Sequence, residues 1–118
     1  MKQDFKQFDV VLVDFGEEII GSEQGGIRPA VIIQNNSGNW FSDTTIVMPL
    51  THVLKKLNQP THAYIGKNKK NGLNQNSVLL GECLRQVSEN RIIQFLGTFS
   101  NDYERKEVKR VYDANIGM

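Results

Sequence analysis

The amino-acid sequence predicts a mainly β fold, a small half-open barrel of antiparallel strands followed by a C-terminal α-helix. Short apolar runs rich in valine and isoleucine recur as far as Phe99, and Gly, Asn or Pro residues separate them. A segment with helix-capping residues and helical periodicity begins only after the last run. Strands that are not interleaved with helices favour an antiparallel sheet over repeated βα units.

The strands are predicted from apolar, β-branched runs that end in turn residues. These runs occupy residues 8–15, 28–35, 44–50, 61–65 and 77–87, with a further short strand at 96–99. The intervening segments are rich in Asn, Gly, Lys and Pro, and they predict a turn at 35–39 and loops at 52–60 and 66–76. Residues 88–93 are expected to form one helical turn.

The last segment predicts a helix that covers the sheet. Asn101 and Glu104 have the spacing of a capping box, in which each side chain binds a backbone N–H at the helix start. One face of the helix is apolar, with Val108, Val111 and Tyr112. Gly117 is typical of a helix end.

Composition indicates one globular domain, residues 1–118, with 39% hydrophobic and 23% charged residues. No apolar run is long enough for a membrane helix, and Asp4 and Asp9 interrupt the region where a secretory signal needs an apolar stretch. Cys83 is the sole cysteine, which excludes an internal disulfide and predicts a small core residue. We therefore expect a cytoplasmic protein.

Charge is distributed unevenly along the chain, although the formal net charge is only +1. Residues 1–23 carry six acids and two lysines, a net −4. Residues 24–81 carry six basic residues and one acid, a net +5, and residues 82–118 are balanced. A long segment that nearly lacks carboxylates fits a surface that binds a polyanion, and equally a solvated face.

A glycine-rich loop leads directly into Arg28 in the stretch GSEQGGIRPAVIIQN, residues 21–35. Glycines let backbone N–H groups turn toward an anion, and Pro29 restricts the backbone just after the arginine. Loop and arginine together predict a phosphate site. The alternative is a plain connecting loop with one solvated arginine.

The second and third predicted strands should form a hairpin centred near Asn39 and Trp40. Paired residue numbers then sum to about 79, which sets Arg28 beside Thr51. A guanidinium, a hydroxyl and a loop of backbone donors would meet at one edge of the sheet. That combination suits a phosphate whose negative charge grows during a reaction.

The segments FDVVLVDF, GSEQGGIRPAVIIQN, PTHAYI and SVLLGECLR, together with Thr51, resemble the MazF/PemK family in content and order. The resemblance implies an SH3-like barrel, a two-fold homodimer and a toxin of a type II toxin–antitoxin system. Toxins of this family are mRNA interferases, sequence-specific endoribonucleases that cleave single-stranded RNA without a metal ion. The family pattern also implies an antitoxin whose acidic segment folds across the substrate groove.

Matched position by position, the resemblance implies that Arg28 and Thr51 are catalytic. It implies substrate binding for the loop residues and for three residues further on, namely Ser22, Gln24, Gly25, Gly26, His62, Glu82 and Arg85. Gly81 and Cys83 replace the leucine and glutamine that are more usual in the family.

Several of these residues also have ordinary structural interpretations. Taken alone, Thr51 is typical of a strand end and His62 of a strand. Glu82 and Arg85 could pair with each other or with a dimer mate.

The implied reaction is attack of a ribose 2′-hydroxyl on the adjacent phosphorus, which expels the 5′-oxygen and leaves a 2′,3′-cyclic phosphate. Arg28 suits charge stabilisation better than proton transfer, because a guanidinium stays protonated at neutral pH. No metal or cofactor is expected, since two histidines and scattered carboxylates lack ligand spacing. Two other functions stay open: a binding-only toxin such as the CcdB gyrase poison, and a non-catalytic RNA-binding module.

Overall fold

The computed structural model describes residues 4–17, 25–54 and 56–118. Across these residues the chain forms a seven-stranded sheet, two α-helices and two 3-10 turns. The strands are β1 (Asp9–Asp14), β2 (Ile27–Ile32), β3 (Thr44–Thr51), β4 (His62–Ile65), β5 (Ser77–Leu80), β6 (Arg85–Ser88) and β7 (Ile92–Thr98). The helices are α1 (Asn36–Phe41) and α2 (Asp102–Ile116), and the 3-10 turns are Gly81–Cys83 and Glu89–Arg91. The predicted mainly β fold with a C-terminal helix is confirmed.

β3 connects the two parts of the sheet. The hydrogen-bonded order is β4-β5-β3-β2-β1-β7, and β6 pairs with β3 outside this order. All of these pairs are antiparallel. β3 therefore pairs with β2 along one edge. Along its other edge, residues 44–47 of β3 pair with β6 and residues 50–51 of β3 pair with β5.

The predicted register of β2 and β3 is confirmed. Ala30 lies opposite Pro49, and the two pairs that follow keep the same register, with residue numbers that sum to 79. The turn predicted at 35–39 is wrong, because α1 occupies most of that segment. The Asn35 side chain accepts a hydrogen bond from the Gly38 N–H and so caps the helix, a role that asparagine often takes at a helix start.

The prediction of one continuous strand at 77–87 is wrong, because this segment forms two strands, β5 and β6, that are separated by the 3-10 turn Gly81–Cys83. The break lies opposite Met48 and Pro49 of β3, and proline has no N–H with which to continue a ladder. Gly81 also permits close packing. A Cβ at this position would lie 2.9 Å from the Thr61 carbonyl oxygen and 3.0 Å from Val111 Cβ.

The last strand is longer than expected. β7 begins at Ile92, so the strand predicted at 96–99 is wrong in its bounds. The sequence pattern hides this strand because it lies at the edge of the sheet with three consecutive exposed residues, 93–95. The helical turn predicted within 88–93 is confirmed by the 3-10 turn Glu89–Arg91.

Buried apolar side chains lie on both faces of the sheet. One cluster lies between the sheet and α2 and includes Val31, Met48, Leu50, Val108 and Val111. The other lies on the opposite face and includes Val13, Phe15, Ala30, Ile32 and Val47. Successive residues of β2 and β3 thus alternate between two clusters, as strand geometry requires. No helix in the described ranges is long and apolar enough to cross a membrane.

The predicted capping box fixes the start of α2. Asn101 Oδ1 accepts from the Glu104 N–H at 2.8 Å, and Glu104 Oε1 accepts from the Asn101 N–H at 3.5 Å. The Glu104 side chain is buried, and its Oε2 accepts from the side-chain amides of Asn71 at 2.8 Å and Asn68 at 3.1 Å. One carboxylate therefore ties the 66–76 loop to the helix.

The 66–76 loop also packs closely against β7. Gly72 has a φ of +70°, and a Cβ at this position would overlap the Leu96 carbonyl oxygen. The Thr98 N–H donates to the Lys70 carbonyl oxygen at 2.7 Å. The loop is thus held by the helix on one side and by the edge strand on the other.

Replacing Glu104 with alanine is expected to lower the free energy of unfolding by about 2–4 kcal/mol, because buried amides lose their charged acceptor. Urea denaturation followed by circular dichroism measures the change. Glu107→Ala is the matched control, since Glu107 pairs with Arg110 on the surface of the same helix and its loss should cost less than about 1 kcal/mol. Equal losses in the two variants would contradict the role assigned to the buried carboxylate.

Candidate active site

A cleft of about 630 Å³ lies at the ends of β2 and β3. Its walls are formed by residues 27–29, 50–53, 72–75 and 94–96. The cleft reaches both faces of the sheet. Arg28 and Pro29 are neighbours on one strand, and Leu50 and Thr51 are neighbours on the next, so each pair has one side chain on each face. All four residues line the cleft. Its size is within the usual range for ligand sites.

The structure brings Arg28 and Thr51 to the same end of the β2–β3 pair, and both line the cleft. The observed pairing ends at Ala30 and Pro49, two residues short of them. Because side chains alternate along a strand, Arg28 lies on the face of Ala30 and Thr51 on the face of Pro49. Ala30 and Pro49 are directly opposed, so the two candidate catalytic side chains share one face of the sheet.

Arg28 and Thr51 each keep a hydrogen-bond donor that no described residue uses. Arg28 Nε donates to the Gly25 carbonyl oxygen at 3.1 Å, and the two terminal guanidinium nitrogens have no partner in the described ranges. Thr51 Oγ1 accepts from the Val53 N–H at 3.3 Å, and its own O–H has no acceptor among the described residues. Such donors are suited to an anionic oxygen.

The described part of the glycine-rich loop supports Arg28. The Gly26 N–H donates to the Gly16 carbonyl oxygen at 2.7 Å, and the Phe15 N–H donates to the Gly26 carbonyl oxygen at 2.9 Å. Gly26 has a φ of +74°, which glycine adopts without strain. Its N–H closes the base of the loop, while Gly25 offers a carbonyl oxygen to the arginine. Ser22 and Gln24 lie outside the described residues.

His62 and Glu82 are brought together. The His62 side chain lies on β4 and is buried, and its Nε2 is 2.8 Å from Glu82 Oε2. Its Nδ1 is 3.0 Å from the Lys56 carbonyl oxygen, so both ring nitrogens face acceptors. Gln59, which the sequence did not predict, donates to the same Glu82 oxygen at 2.8 Å.

Arg85 is not paired with Glu82 in the described structure. Its guanidinium carbon lies 5.6 Å from the centroid of the Phe15 ring, and its Nη1 donates to the Phe15 carbonyl oxygen at 3.5 Å. Arg85 is opposite Val47 in the β3–β6 ladder, and Val47 belongs to the same cluster as Ala30. Arg85 therefore lies on the same face of the sheet as Arg28.

The Cys83 thiol, in the Gly81–Cys83 turn, is close enough to Arg28 for the guanidinium charge to affect its pKa. Burial raises the pKa of Cys83, the Glu82 carboxylate raises it further, and Arg28 lowers it. These signs follow from charge, since a neighbouring carboxylate disfavours a thiolate and a guanidinium favours it. Cys83 is only partly buried, so the predicted core position is wrong.

Asn74, Gln75, Gln94 and Phe95 are exposed residues of the cleft that were not predicted from the sequence, as are Ile27, His52 and Val53. For Asn74 and Gln75 the available signal was the polar run NGLNQN at 71–76, which is equally typical of a turn. Among the described residues, no group of three or more His, Cys, Asp or Glu side chains could hold a metal ion.

A family model for PemK-like, MazF-like toxins of type II toxin–antitoxin systems matches residues 6–113. Since this match spans most of the chain, the protein belongs to that family of toxins. The chain is 44% identical to the endoribonuclease MazF of Staphylococcus saprophyticus subsp. saprophyticus and 42% identical to that of Staphylococcus epidermidis. Each alignment spans 110 residues and covers 93% of this chain and 89% of the relative.

Solved structures support the same fold. MazF from Deinococcus radiodurans is similar with a TM-score of 0.81 at 20% identity, covering 99% of this chain and 100% of that chain. A mycobacterial endoribonuclease in complex with its cognate antitoxin has a TM-score of 0.77 at 16% identity, covering 96% and 95% of the two chains. At such identities the similarity concerns the fold alone.

Cys83 is expected to react with iodoacetamide more slowly at neutral pH than an exposed thiol, because its raised pKa leaves less thiolate. The rate should therefore keep rising at alkaline pH where an exposed thiol has levelled off. Arg28→Ala should slow the reaction further and Glu82→Gln should accelerate it, as their effects on the Cys83 pKa have opposite signs. Alkylation followed by mass spectrometry measures these rates, and identical rates in both variants would contradict the electrostatic link.

Proposed function

We propose that this toxin is a sequence-specific endoribonuclease that cleaves single-stranded RNA without a metal ion. Family membership and the two staphylococcal relatives support the activity. The observation that carries the proposal is that the terminal guanidinium nitrogens of Arg28 and the O–H of Thr51 lie on one face at the cleft and that no described residue uses them as donors.

In the proposed reaction the substrate supplies its own nucleophile. The ribose 2′-oxygen releases its proton to a water molecule and bonds to the adjacent phosphorus, and the bond from phosphorus to the 5′-oxygen breaks as that oxygen takes up a proton from water. The products are a 2′,3′-cyclic phosphate and a 5′-hydroxyl end. The protein must orient the sugar and phosphate and stabilise the extra charge on the non-bridging oxygens.

Arg28 stabilises this charge, because a planar guanidinium can donate two parallel hydrogen bonds to a phosphate. Its Nε bond to the Gly25 carbonyl oxygen holds the group in one orientation, so less freedom is lost when RNA binds. Thr51 donates its O–H to a non-bridging oxygen, since its Oγ1 already accepts from the Val53 N–H.

The partly exposed Glu82 carboxylate contacts and orients the RNA, and the buried His62 ring contributes by holding that carboxylate rather than by exchanging protons with the substrate. Both ring nitrogens of His62 face protein acceptors, and releasing either would break a contact with Lys56 or Glu82. Arg85 adds positive charge on the face of Arg28, along the path of the RNA backbone. The loop that includes Ser22, Gln24, Gly25 and Gly26 contributes further substrate contacts.

The proposed partners are a second copy of the chain, as a homodimer, and a cognate antitoxin with an acidic segment. Lys67, Lys69 and Lys70 are exposed on the 66–76 loop, whose later residues line the cleft. No described carboxylate forms an ion pair with these lysines. Such a surface suits a polyanionic RNA and an acidic peptide alike. The compartment we propose is the cytoplasm, where the RNA substrate is found.

Arg28→Ala, Arg28→Lys and Thr51→Val should each lower the rate of RNA cleavage by about 10²–10³-fold, because each removes a donor to the developing charge. Lysine is included because it keeps the charge but lacks the planar fork. Initial rates on a labelled single-stranded RNA, measured in a chelator, test this expectation. Arg105→Ala is the control, since Arg105 lies on α2 against the Phe8 ring and should retain the rate.

A second substrate tests the nucleophile. Wild-type protein should cleave the RNA but leave intact the same RNA carrying a 2′-deoxy sugar at the scissile position, and the cleaved RNA should end in a cyclic phosphate. Cleavage of both substrates would contradict attack by the 2′-hydroxyl. Cleavage of neither would favour a binding-only toxin or a non-catalytic RNA-binding module.

A further inference from the structure

We propose that the part of the cleft formed by the 66–76 loop and β7 is a nucleobase-binding subsite. In this subsite Phe95 stacks on an unpaired base, and the side-chain amides of Asn74 and Gln75 recognise the edge of that base. Gln94, on the other face of β7, contacts the neighbouring nucleotide. The inference rests on the proposed ribonuclease function and adds to it the residues that select the RNA sequence. All four residues are exposed, and they line the cleft that Arg28 also lines.

The amide side chains around the loop fall into two groups. Those of Asn68 and Asn71 donate to Glu104, and Asn76 Oδ1 accepts from the Lys67 N–H. In contrast, no described residue forms a hydrogen bond with the side-chain amides of Asn74, Gln75 and Gln94. An amide carries both a donor and an acceptor, so it can form paired hydrogen bonds with a base edge. The unengaged amides are those that line the cleft.

The chemistry of the lining favours a base over a phosphate or an acidic peptide. Arg28 and His52 are its basic residues, and no carboxylate or lysine is found among the described residues of the lining. Leu73 and Leu96 add apolar atoms to the lining, and the Phe95 ring is exposed. An aromatic face next to neutral amides is the combination that recognises unstacked bases in single-stranded RNA.

The wall of the subsite is held in place by the fold itself. Asn71 is fully buried and donates to the Glu104 carboxylate at 2.8 Å. Gly72 packs so closely against the Leu96 carbonyl oxygen that a side chain would overlap it. Asn74 and Gln75 follow directly, and residues 94–96 of β7 form the facing wall. Groups placed on such a support lose little freedom when they bind a ligand.

Phe95→Ala should raise the KM for RNA roughly tenfold and leave kcat nearly unchanged, because a stacking contact is lost while the Arg28 and Thr51 donors are kept. Phe95→Tyr keeps the aromatic face and should restore the wild-type KM. Ile93→Ala is the matched control, since Ile93 is an exposed apolar residue on the same strand outside the lining and should behave as wild type. Steady-state cleavage of one labelled RNA gives these constants.

The amides should control which sequence is cut. Cleavage of a random-sequence RNA pool, followed by sequencing at the new 5′-hydroxyl ends, should show relaxed preference at one position for Gln94→Ala and for the pair Asn74→Ala with Gln75→Ala. Asn90→Ala, an exposed amide outside the lining, should leave the profile unchanged.

The outcomes separate the subsite from the proposed function. A wild-type protein that cuts no RNA overturns the ribonuclease proposal and the subsite with it. An active wild type whose KM and cleavage profile are unchanged in all Phe95 and amide variants overturns the subsite alone. A Phe95→Ala variant that alters the oligomeric state at constant KM also overturns it, because this surface is then a subunit interface.

Discussion

The backbone pairing of β3 is the constraint on which the site depends. This strand is hydrogen-bonded to β2 on one side and to β5 and β6 on the other, so it cannot slide without breaking three ladders. A shift by one residue would turn Thr51 to the other face, and it would also remove Met48, Leu50 and Val47 from their apolar clusters. The placement of Thr51 beside Arg28 is therefore set by core burial rather than by any contact between the two side chains.

Fold features that depend on local pattern could be predicted, and those that depend on distant packing could not. The β2–β3 register follows from the centre of the segment that joins two apolar runs, and α2 follows from its capping residues. The turn at Gly81 has no local signal, because it depends on Pro49 of a distant strand and on close contact with Val111. The helix after Asn35 was hidden, since Asn and Gly favour turns as well as helix caps.

The candidate site was predicted unevenly for the same physical reason. Arg28 and Thr51 could be paired from the sequence because they lie on neighbouring strands of one hairpin-like unit. The contact between His62 and Glu82 required the β4–β5 register and the strand break, so only the family resemblance pointed to these residues. Residues of the cleft that come from loops, such as Gln75, converge only after all the strands have paired.

Gly81 connects the end of α2 to the contact between His62 and Glu82. The Asn115 amide, in the last turn of α2, donates to the Gly81 carbonyl oxygen at 3.2 Å, and the backbone of Gly81 packs against Val111. The residue that follows is Glu82, which holds His62. A ligand that binds against the end of this helix therefore has a route of two contacts to Glu82 and His62, although it would touch neither residue.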